Sequence, residues 1–290
     1  MQFTQYRIAV VTNSNGPSMQ DLKSIADQHS VVFDSMNYDH VSLTDLAESD
    51  YVKALLTYDI VYYRTGMRDT TLNFLTAILN KHNIPIINGS SVHLNGHRKI
   101  QQALICAENN ILHPKSYMLS DNRYETARKL LGDTFVTKPD VGSKGKHVAL
   151  ISSQAELDAQ LQHKSATNKF LYQELIDDAD EYRVYTVGGE GVISYKRIPG
   201  GEDFRANLHT GGTMENTEPE RAEPLNTFCG QVAKAFEADL AGIDVLVKDD
   251  KYYLLEVNYQ PGWENLDSLT GMNFSKKTLQ FILEKAHEEK

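Results

Sequence analysis

Asp244, Glu256 and Asn258 are the side chains whose types and spacing point most directly to chemistry. They sit in two apolar stretches, Ile243-Asp244-Val245-Leu246-Val247 and Tyr253-Leu254-Leu255-Glu256-Val257-Asn258, joined through Asp249-Asp250. The period of two in a strand places Glu256 and Asn258 on one face. If the stretches form a hairpin with aligned apolar faces, Ile243 meets Val257, Val245 meets Leu255 and Val247 meets Tyr253. Asp244 then stands opposite Glu256, with Cβ atoms about 4.5–5.5 Å apart. A slip of one residue would send the acids to opposite faces, so the apolar pattern argues for this register. Two facing carboxylates repel unless a cation lies between them or one is protonated. Oxygen ligands alone suit a hard cation, Mg²⁺ with Mn²⁺ as its substitute, bound jointly with phosphates. The rival reading is a solvated polar face carrying a chance pair of acids.

A second group surrounds Phe135-Val136-Thr137-Lys138-Pro139-Asp140-Val141-Gly142-Ser143-Lys144-Gly145-Lys146. Lys138 ends a predicted strand. Gly142 and Gly145 permit tight turns, while Ser143, Lys144 and Lys146 add donors, so the loop could fold over phosphates. It is neither a Walker A sequence nor G-x-G-x-x-G, and alone it reads more readily as an ordinary basic loop. A third group is Asp203-Phe204-Arg205-Ala206-Asn207-Leu208-His209-Thr210-Gly211-Gly212. Arg205 can fork onto two phosphate or carboxylate oxygens, and Asn207 can meet a metal or phosphate oxygen. His209 offers an acid or base, although a lone histidine is more often structural. Glu174 and Glu181, taken singly, read as surface charge.

The elements that must position these groups follow from periodicity. Strands at Tyr6–Val11, Ser30–Phe33, Asp59–Tyr63 and Pro85–Ile87 alternate with helices at Met19–Gln28 and Leu72–Lys81, which predicts a parallel sheet covered on both faces. Arg64 falls at the C-terminal end of its strand, where ligands bind in open sheets. A second block has helices at Lys99–Ala107, Tyr124–Leu131 and Gln154–Leu161. Its strands are Ser116–Leu119, Phe135–Lys138, His147–Ile151 and Phe170–Leu175. The third block holds antiparallel strands at Tyr182–Val187 and Val192–Lys196, a polar loop from Gly200 to Pro219, a helix at Leu225–Ala238, the hairpin, and a helix at Ser275–Ala286. The fold class is therefore α/β and α+β. The boundaries expected are an N-terminal parallel α/β domain over 1–95, a small central lid over 96–172, and a largely antiparallel C-terminal domain with the metal site over 173–290.

Composition narrows the function. The chain has 290 residues, 41% hydrophobic, with 29 Lys plus Arg against 39 Asp plus Glu, a net charge of −10. That balance argues against general binding to a nucleic-acid backbone. No apolar run reaches the roughly 18 residues of a membrane span. The start, MQFTQYRIAV, lacks the pattern of a secretory signal, and Cys106 and Cys229 make no disulfide framework. A cytoplasmic protein acting on small molecules or on another protein is expected.

In order and spacing, these stretches resemble the ATP-grasp superfamily, closest to RimK-type carboxylate–amine ligases and similar to glutathione synthetases. The likeness runs from Asp59-Ile60-Val61-Tyr62-Tyr63-Arg64 to Thr270-Gly271. It is most specific at Asp203–Gly212 and at Leu255-Glu256-Val257-Asn258 followed by Pro261-Gly262. The resemblance implies that Lys99 and Lys138 reach the nucleotide, that the loop Gly142–Gly145 closes over its phosphates, and that Gln173-Glu174-Leu175-Ile176 meets adenine. Glu181 takes the place of an Asp near the ribose. Arg205 and Asn207 lie near the transferred phosphate, and Asp244, Glu256 and Asn258 hold magnesium. Departures are Ala206 for a usual Ser, Gln260 for a small hydroxyl residue, Trp263 after the Pro-Gly, and Thr65-Gly66-Met67-Arg68 after the strand arginine. The last three surround the expected acceptor pocket.

The implied activity is an ATP-dependent ligase that makes an amide through an acyl phosphate. Arg205 and Lys138 are its catalytic residues, by positioning and charge neutralisation. Arg64, Arg68, His209, Gly211, Gly212 and Gln260 are candidates for the substrate. The partners implied are an amino-acid or other carboxylate and an amine acceptor, which is a small molecule, a peptide or a protein. The family is often dimeric or tetrameric. The alternative is a regulatory protein of the same fold that binds ATP without turning it over.

Overall fold

Three sheets divide the chain among them. The computed structural model describes residues 6–12, 15–37, 45–64, 70–89, 98–142, 145–163, 169–200, 212–264, 266 and 270–288. The first sheet is parallel, in the order β2-β1-β3-β4, from β1 (Arg7–Val11), β2 (Val32–Met36), β3 (Ile60–Tyr63) and β4 (Ile86–Ile87). Helices α1 (Pro17–Gln28), α2 (Asp50–Leu55) and α3 (Thr70–Lys81) connect its strands. Successive residues of β1 serve opposite cores: Ala9 and Val11 pack in one cluster, Ile8 and Val10 in another. That arrangement is the signature of a sheet covered on both sides.

Helix α4 (Lys99–Glu108) leads to a small sheet ordered β5-β8-β6-β7, formed by β5 (Ser116–Tyr117), β6 (Phe135–Pro139), β7 (Ala149–Ile151) and β8 (Phe170–Glu174). Its helices are α5 (Tyr124–Leu131) and α6 (Gln154–Leu161), and its own core gathers Ala127, Phe135, Leu157 and Tyr172. The third sheet is antiparallel, ordered β11-β10-β9-β12-β13, from β9 (Asp180–Val187), β10 (Glu190–Ile198), β11 (Thr213–Asn216), β12 (Leu240–Lys248) and β13 (Lys251–Asn258). Helices α7 (Pro219–Ala235) and α8 (Phe274–Glu288) complete it. The architecture is thus a parallel N-terminal sheet, a central lid and an antiparallel C-terminal sheet, as expected.

Three local expectations need correction. Val245 pairs with Leu254 and Val247 with Tyr252, because the register shifts just beyond Asp244 and leaves Leu255 as the extra residue of a bulge. The predicted loop of residues 200–219 contains β11, a polar edge strand without apolar alternation. Helix α7 begins at Pro219 and carries Pro224 within it, rather than starting after that proline. The helix tolerates Pro224 at the loss of one backbone hydrogen bond near its start.

The N-terminal and C-terminal sheets are tied through Asn88, which directly follows β4. Asn88 is fully buried with φ near 55°. Its side-chain amide donates to the carbonyls of Leu240 and Tyr259, each at 2.9 Å, and its Oδ1 accepts from the Leu240 N–H at 3.0 Å. Its own N–H donates to Asp239, whose carboxylate also pairs with Lys285 of α8. Among the described residues no helix is long and apolar enough to cross a membrane.

Candidate active site

The expected opposition of Asp244 and Glu256 is present, and strand pairing extends it across the sheet. Glu256, Asp244, Arg183 and Tyr195 occupy one row over four strands. The next row on that face is Leu246, Glu181, Arg197 and Met214. On the other side come Asn258, Gly242 and Tyr185. Residues two apart in a strand share a face, so all these side chains rise from the same surface. Gly242 is required there: a Cβ would lie 2.9 Å from Pro261 Cβ and 3.5 Å from Arg183 Cδ.

Asp244 is buried, and Arg183 donates to both of its oxygens, Nε to Oδ1 and Nη2 to Oδ2, each at 2.6 Å. Arg197 Nη1 reaches Glu181 at 2.8 Å and lies 3.3 Å from Asp244. Burial pushes the Asp244 carboxyl upward, but Arg183 and Arg197 outweigh it and hold the group below its ordinary value. Burial and the Asp244 charge together raise Glu181. Arg183 and Arg197 were not anticipated, since a single arginine in a strand reads as its solvent face. The usable signal was Glu181, Arg183 and Tyr185 at spacing two on the strand beside Asp244.

Lys99 and Lys138 enter from the central unit. Lys99 is buried and places Nζ 3.2 Å from Glu256 Oε1 and 3.4 Å from the Gly142 carbonyl. Lys138, one residue before the end of β6, is buried within electrostatic reach of Lys99, Glu256, Asp244 and Glu181. Burial and the Lys99 charge pull its ammonium down to about 7, against the pull of the three carboxylates. The site therefore lies between the central and C-terminal sheets, with four basic side chains against three acidic ones. His113, near Lys138, is lowered to about 4 by burial and by that lysine, so it is neutral at pH 7.

Gln173 is buried on β8 and turns its amide to Ser116 Oγ at 2.9 Å. Glu174 bonds Lys115, and Leu175 and Ile176 are half-buried in the link from β8 to β9. Gly142 packs close to Pro139, and Gly145 adopts a positive φ of 66° in a tight turn. Asn258 Oδ1 accepts from the Gln260 N–H at 2.9 Å. Gly212 immediately precedes β11. Arg64 stacks on the Trp263 ring, 4.9 Å from its centroid. Arg64 Nη1 and Gln260 Nε2 are both buried with no hydrogen-bond partner among the described residues. Arg68, Ser143, Lys144, Arg205, Asn207, His209 and Gly211 lie outside the described residues. Two open cavities, at Gly89 and Lys285, are lined by none of the site residues.

The sequence matches the RimK-like ATP-grasp domain family over residues 97–282. The chain belongs to this family. It is similar to a probable alpha-L-glutamate ligase of Pasteurella multocida (strain Pm70), 28% identical over 264 residues, covering 88% of this chain and 82% of that protein. A probable alpha-L-glutamate ligase of Vibrio atlanticus (strain LGP32) is 27% identical over 292 residues, covering 95% of each. Among solved structures, the ATP-grasp ligase PsnB complexed with minimal precursor superposes with a TM-score of 0.73 at 18% identity, over 97% of this chain and 100% of that one. D-alanine–D-alanine ligase from Bacillus anthracis gives 0.73 at 20% identity, over 98% of each chain. At these identities the structures speak for the fold. The RimK-like chain is an ATP-dependent carboxylate–amine ligase that forms C–N bonds through an acyl phosphate.

The donor set of this ATP-grasp site fits a hard cation. Among the described residues no three His, Cys, Asp or Glu gather as a ready metal cage. A magnesium site shared with phosphates needs only one or two carboxylates. Glu256, more than a third exposed, and Asn258 offer oxygens on the same face. Asp244 offers its own in exchange for an arginine contact.

Proposed function

We propose that this ligase joins an amino acid bearing a second carboxylate, L-glutamate first among the candidates, to an acceptor carboxylate on a small molecule, peptide or protein. The observation that carries the reading is the row of charged side chains from Glu256 to Arg183, with Lys138 and Lys99 facing it. A carboxylate cannot expel oxide, so its activation as an acyl phosphate needs a site that neutralises transferred phosphate charge and excludes water. Lys138 and Lys99 meet the nucleotide phosphates. Arg205 and Asn207 serve the transferred phosphoryl group, with Ser143, Lys144 and the glycines around them as its cover. Gln173 to Ile176 and Glu181 take the nucleoside. Asp244, Glu256 and Asn258 hold Mg²⁺, or Mn²⁺ in its place, which supplies charge neutralisation when bound.

Arg64 is the residue offered to the incoming amino acid. Its guanidinium rests on Trp263, with an Nη1 that is buried and has no hydrogen-bond partner among the described residues. An unpaired buried donor is costly, and a substrate carboxylate relieves that cost. The names of the relatives point to the same substrate class. Gln260, Gly212, Gly211 and His209 complete the candidate substrate side.

The test is a screen of glutamate and other amino acids against acid, peptide and protein acceptors, with ATP and Mg²⁺. Phosphate release and product mass are read together. A product weighing the two reactants less one water, matched by ADP and phosphate, supports ligation. Nucleotide binding without turnover across the screen would replace this reading by the regulatory one.

A further inference from the structure

Strand β13 lies at the edge of the C-terminal sheet, and its outer edge would present bare backbone groups. Such an edge must be covered or paired. Two elements do this. The Leu112 carbonyl accepts from the Leu254 N–H at 2.8 Å. At Val257 the partner is a side chain: Gln102 Oε1 accepts from the Val257 N–H, and Gln102 Nε2 donates to the Val257 carbonyl, both at 2.9 Å. A planar amide is donor and acceptor at once, so it copies the edge of a neighbouring strand. The outward positions, 254 and 257, are three apart rather than two, as the bulge at Leu255 requires.

Val257 stands between Glu256 and Asn258. Clamping its peptide groups fixes the backbone from which both oxygen donors project. Gln102 belongs to α4, whose buried stripe is Lys99, Gln102 and Cys106. Lys99, one turn earlier, contacts the Glu256 carboxylate itself. The helix is anchored in turn by Asp140, fully buried, whose carbonyl accepts from the Lys99 N–H at 3.0 Å and whose Oδ1 accepts from the Ile100 N–H at 3.0 Å. Asp140 lies two residues before Gly142, so α4 joins the root of the glycine loop to the strand of the oxygen donors.

We infer that Gln102 is a positioning residue for the metal site: it holds Glu256 and Asn258 at the spacing a divalent cation needs, without touching the cation. The inference rests on the metal role proposed for Glu256 and Asn258. Groups that orient metal ligands typically change metal affinity about 10–100-fold when removed.

The experiment titrates Mn²⁺ into the ADP-saturated protein and reads free Mn²⁺ by electron paramagnetic resonance. Gln102→Met keeps the length and loses both bonds. It should raise half-saturating Mn²⁺ about tenfold or more, while ADP affinity in EDTA changes little. Gln102→Glu supplies a second reading that survives if the first variant fails to fold. Protonated, its carboxyl regains the donor–acceptor pair, so its deficit relative to wild type should shrink as the pH falls. An Mn²⁺ affinity close to wild type in Gln102→Met, or in Gln102→Glu with its carboxyl ionised, overturns the inference. Glu256→Gln separates the two levels. If it weakens Mn²⁺ while the Gln102 variants do not, positioning alone fails; if it leaves Mn²⁺ unchanged, the metal reading itself fails.

Discussion

Arg183 grips Asp244 with both ends of its guanidinium, at 2.6 Å to each carboxylate oxygen, and the two residues face each other across paired strands. Both side chains are largely buried, at 13% and 8% exposure. Removing one partner of such a pair leaves a buried charge alone. Arg183→Met should therefore lower unfolding free energy by about 3–5 kcal/mol. Arg183→Met combined with Asp244→Leu should recover much of that loss, because two apolar groups replace two charges. Urea unfolding of the wild type and the two variants checks this. A double variant no more stable than Arg183→Met would show that Arg197 alone already neutralises Asp244. The pair also fixes a pH dependence. The depressed Asp244 carboxyl contributes stability above its unfolded value, and this is lost as pH falls through its lower folded value.

Lys138 gives the opposite kind of titration. Its folded value near 7 lies below the ordinary 10.5, so from this group stability rises with pH between those values and its full cost is present below about 7. Bound phosphate favours the ammonium form. ADP binding in EDTA should take up a proton near pH 8 and weaken as pH rises above about 7. Calorimetry in buffers of different ionisation enthalpy measures the proton directly. Lys138→Met should abolish the uptake and lower affinity; an unchanged uptake would place the titrating group elsewhere.

What the sequence revealed of this site depended on apolar alternation. Ile243 and Val257 set Asp244 opposite Glu256, because both flanks must bury the same face. The bulge was invisible for a physical reason: Leu254 and Leu255 are both apolar, so the pattern does not say which one is extra. Strand β11 was hidden because Thr213-Met214-Glu215-Asn216 pairs through its backbone and buries little. The short α2 over Asp50–Leu55 carries too few turns to show a helical period. Arg183, Arg197 and Gln102 escaped because their roles depend on partners 61, 47 and 155 positions away in the chain. Their types alone read as strand and helix surface. Family resemblance supplied the Arg205 and Lys138 assignments that no local pattern could.

Asn88 tests how far the N-terminal sheet supports the site. Its side chain serves Leu240 at the start of β12 and Tyr259 just after Asn258. Asn88→Ala strands several buried backbone groups, each costing about 1–3 kcal/mol. It also forces alanine into the left-handed region that asparagine tolerates. We expect a loss of about 3–5 kcal/mol in urea unfolding. Asn88→Gly relieves the backbone strain and should lose less than alanine. A glycine variant no better than alanine would show that hydrogen bonding, not φ, carries the whole effect.

Variants of Arg64, the residue proposed for the substrate, test whether recognition of substrate is separate from binding of nucleotide. Arg64 leaves the C-terminal end of β3 on the N-terminal sheet, while Lys138 and Lys99 belong to the central unit, so the two proposed tasks would fall on different elements. Its guanidinium lies over the Trp263 ring, a contact worth about 0.5–2 kcal/mol. Glu264 is within electrostatic reach but accepts from Ser18, and Arg64 Nη1 has no hydrogen-bond partner among the described residues. A charged hydrogen bond from a preorganised fork contributes about 1.5–3 kcal/mol, or roughly 10–100-fold in affinity. Arg64→Met should raise the KM for the amino-acid substrate by about that factor, and Arg64→Lys should restore only part of it, since an ammonium lacks the planar fork. Trp263→Leu should produce a smaller rise in the same KM by freeing the arginine. ADP affinity should be unaltered in all three variants. If ADP binding weakens in parallel with KM, Arg64 serves the nucleotide side and the substrate carboxylate must be held by another residue.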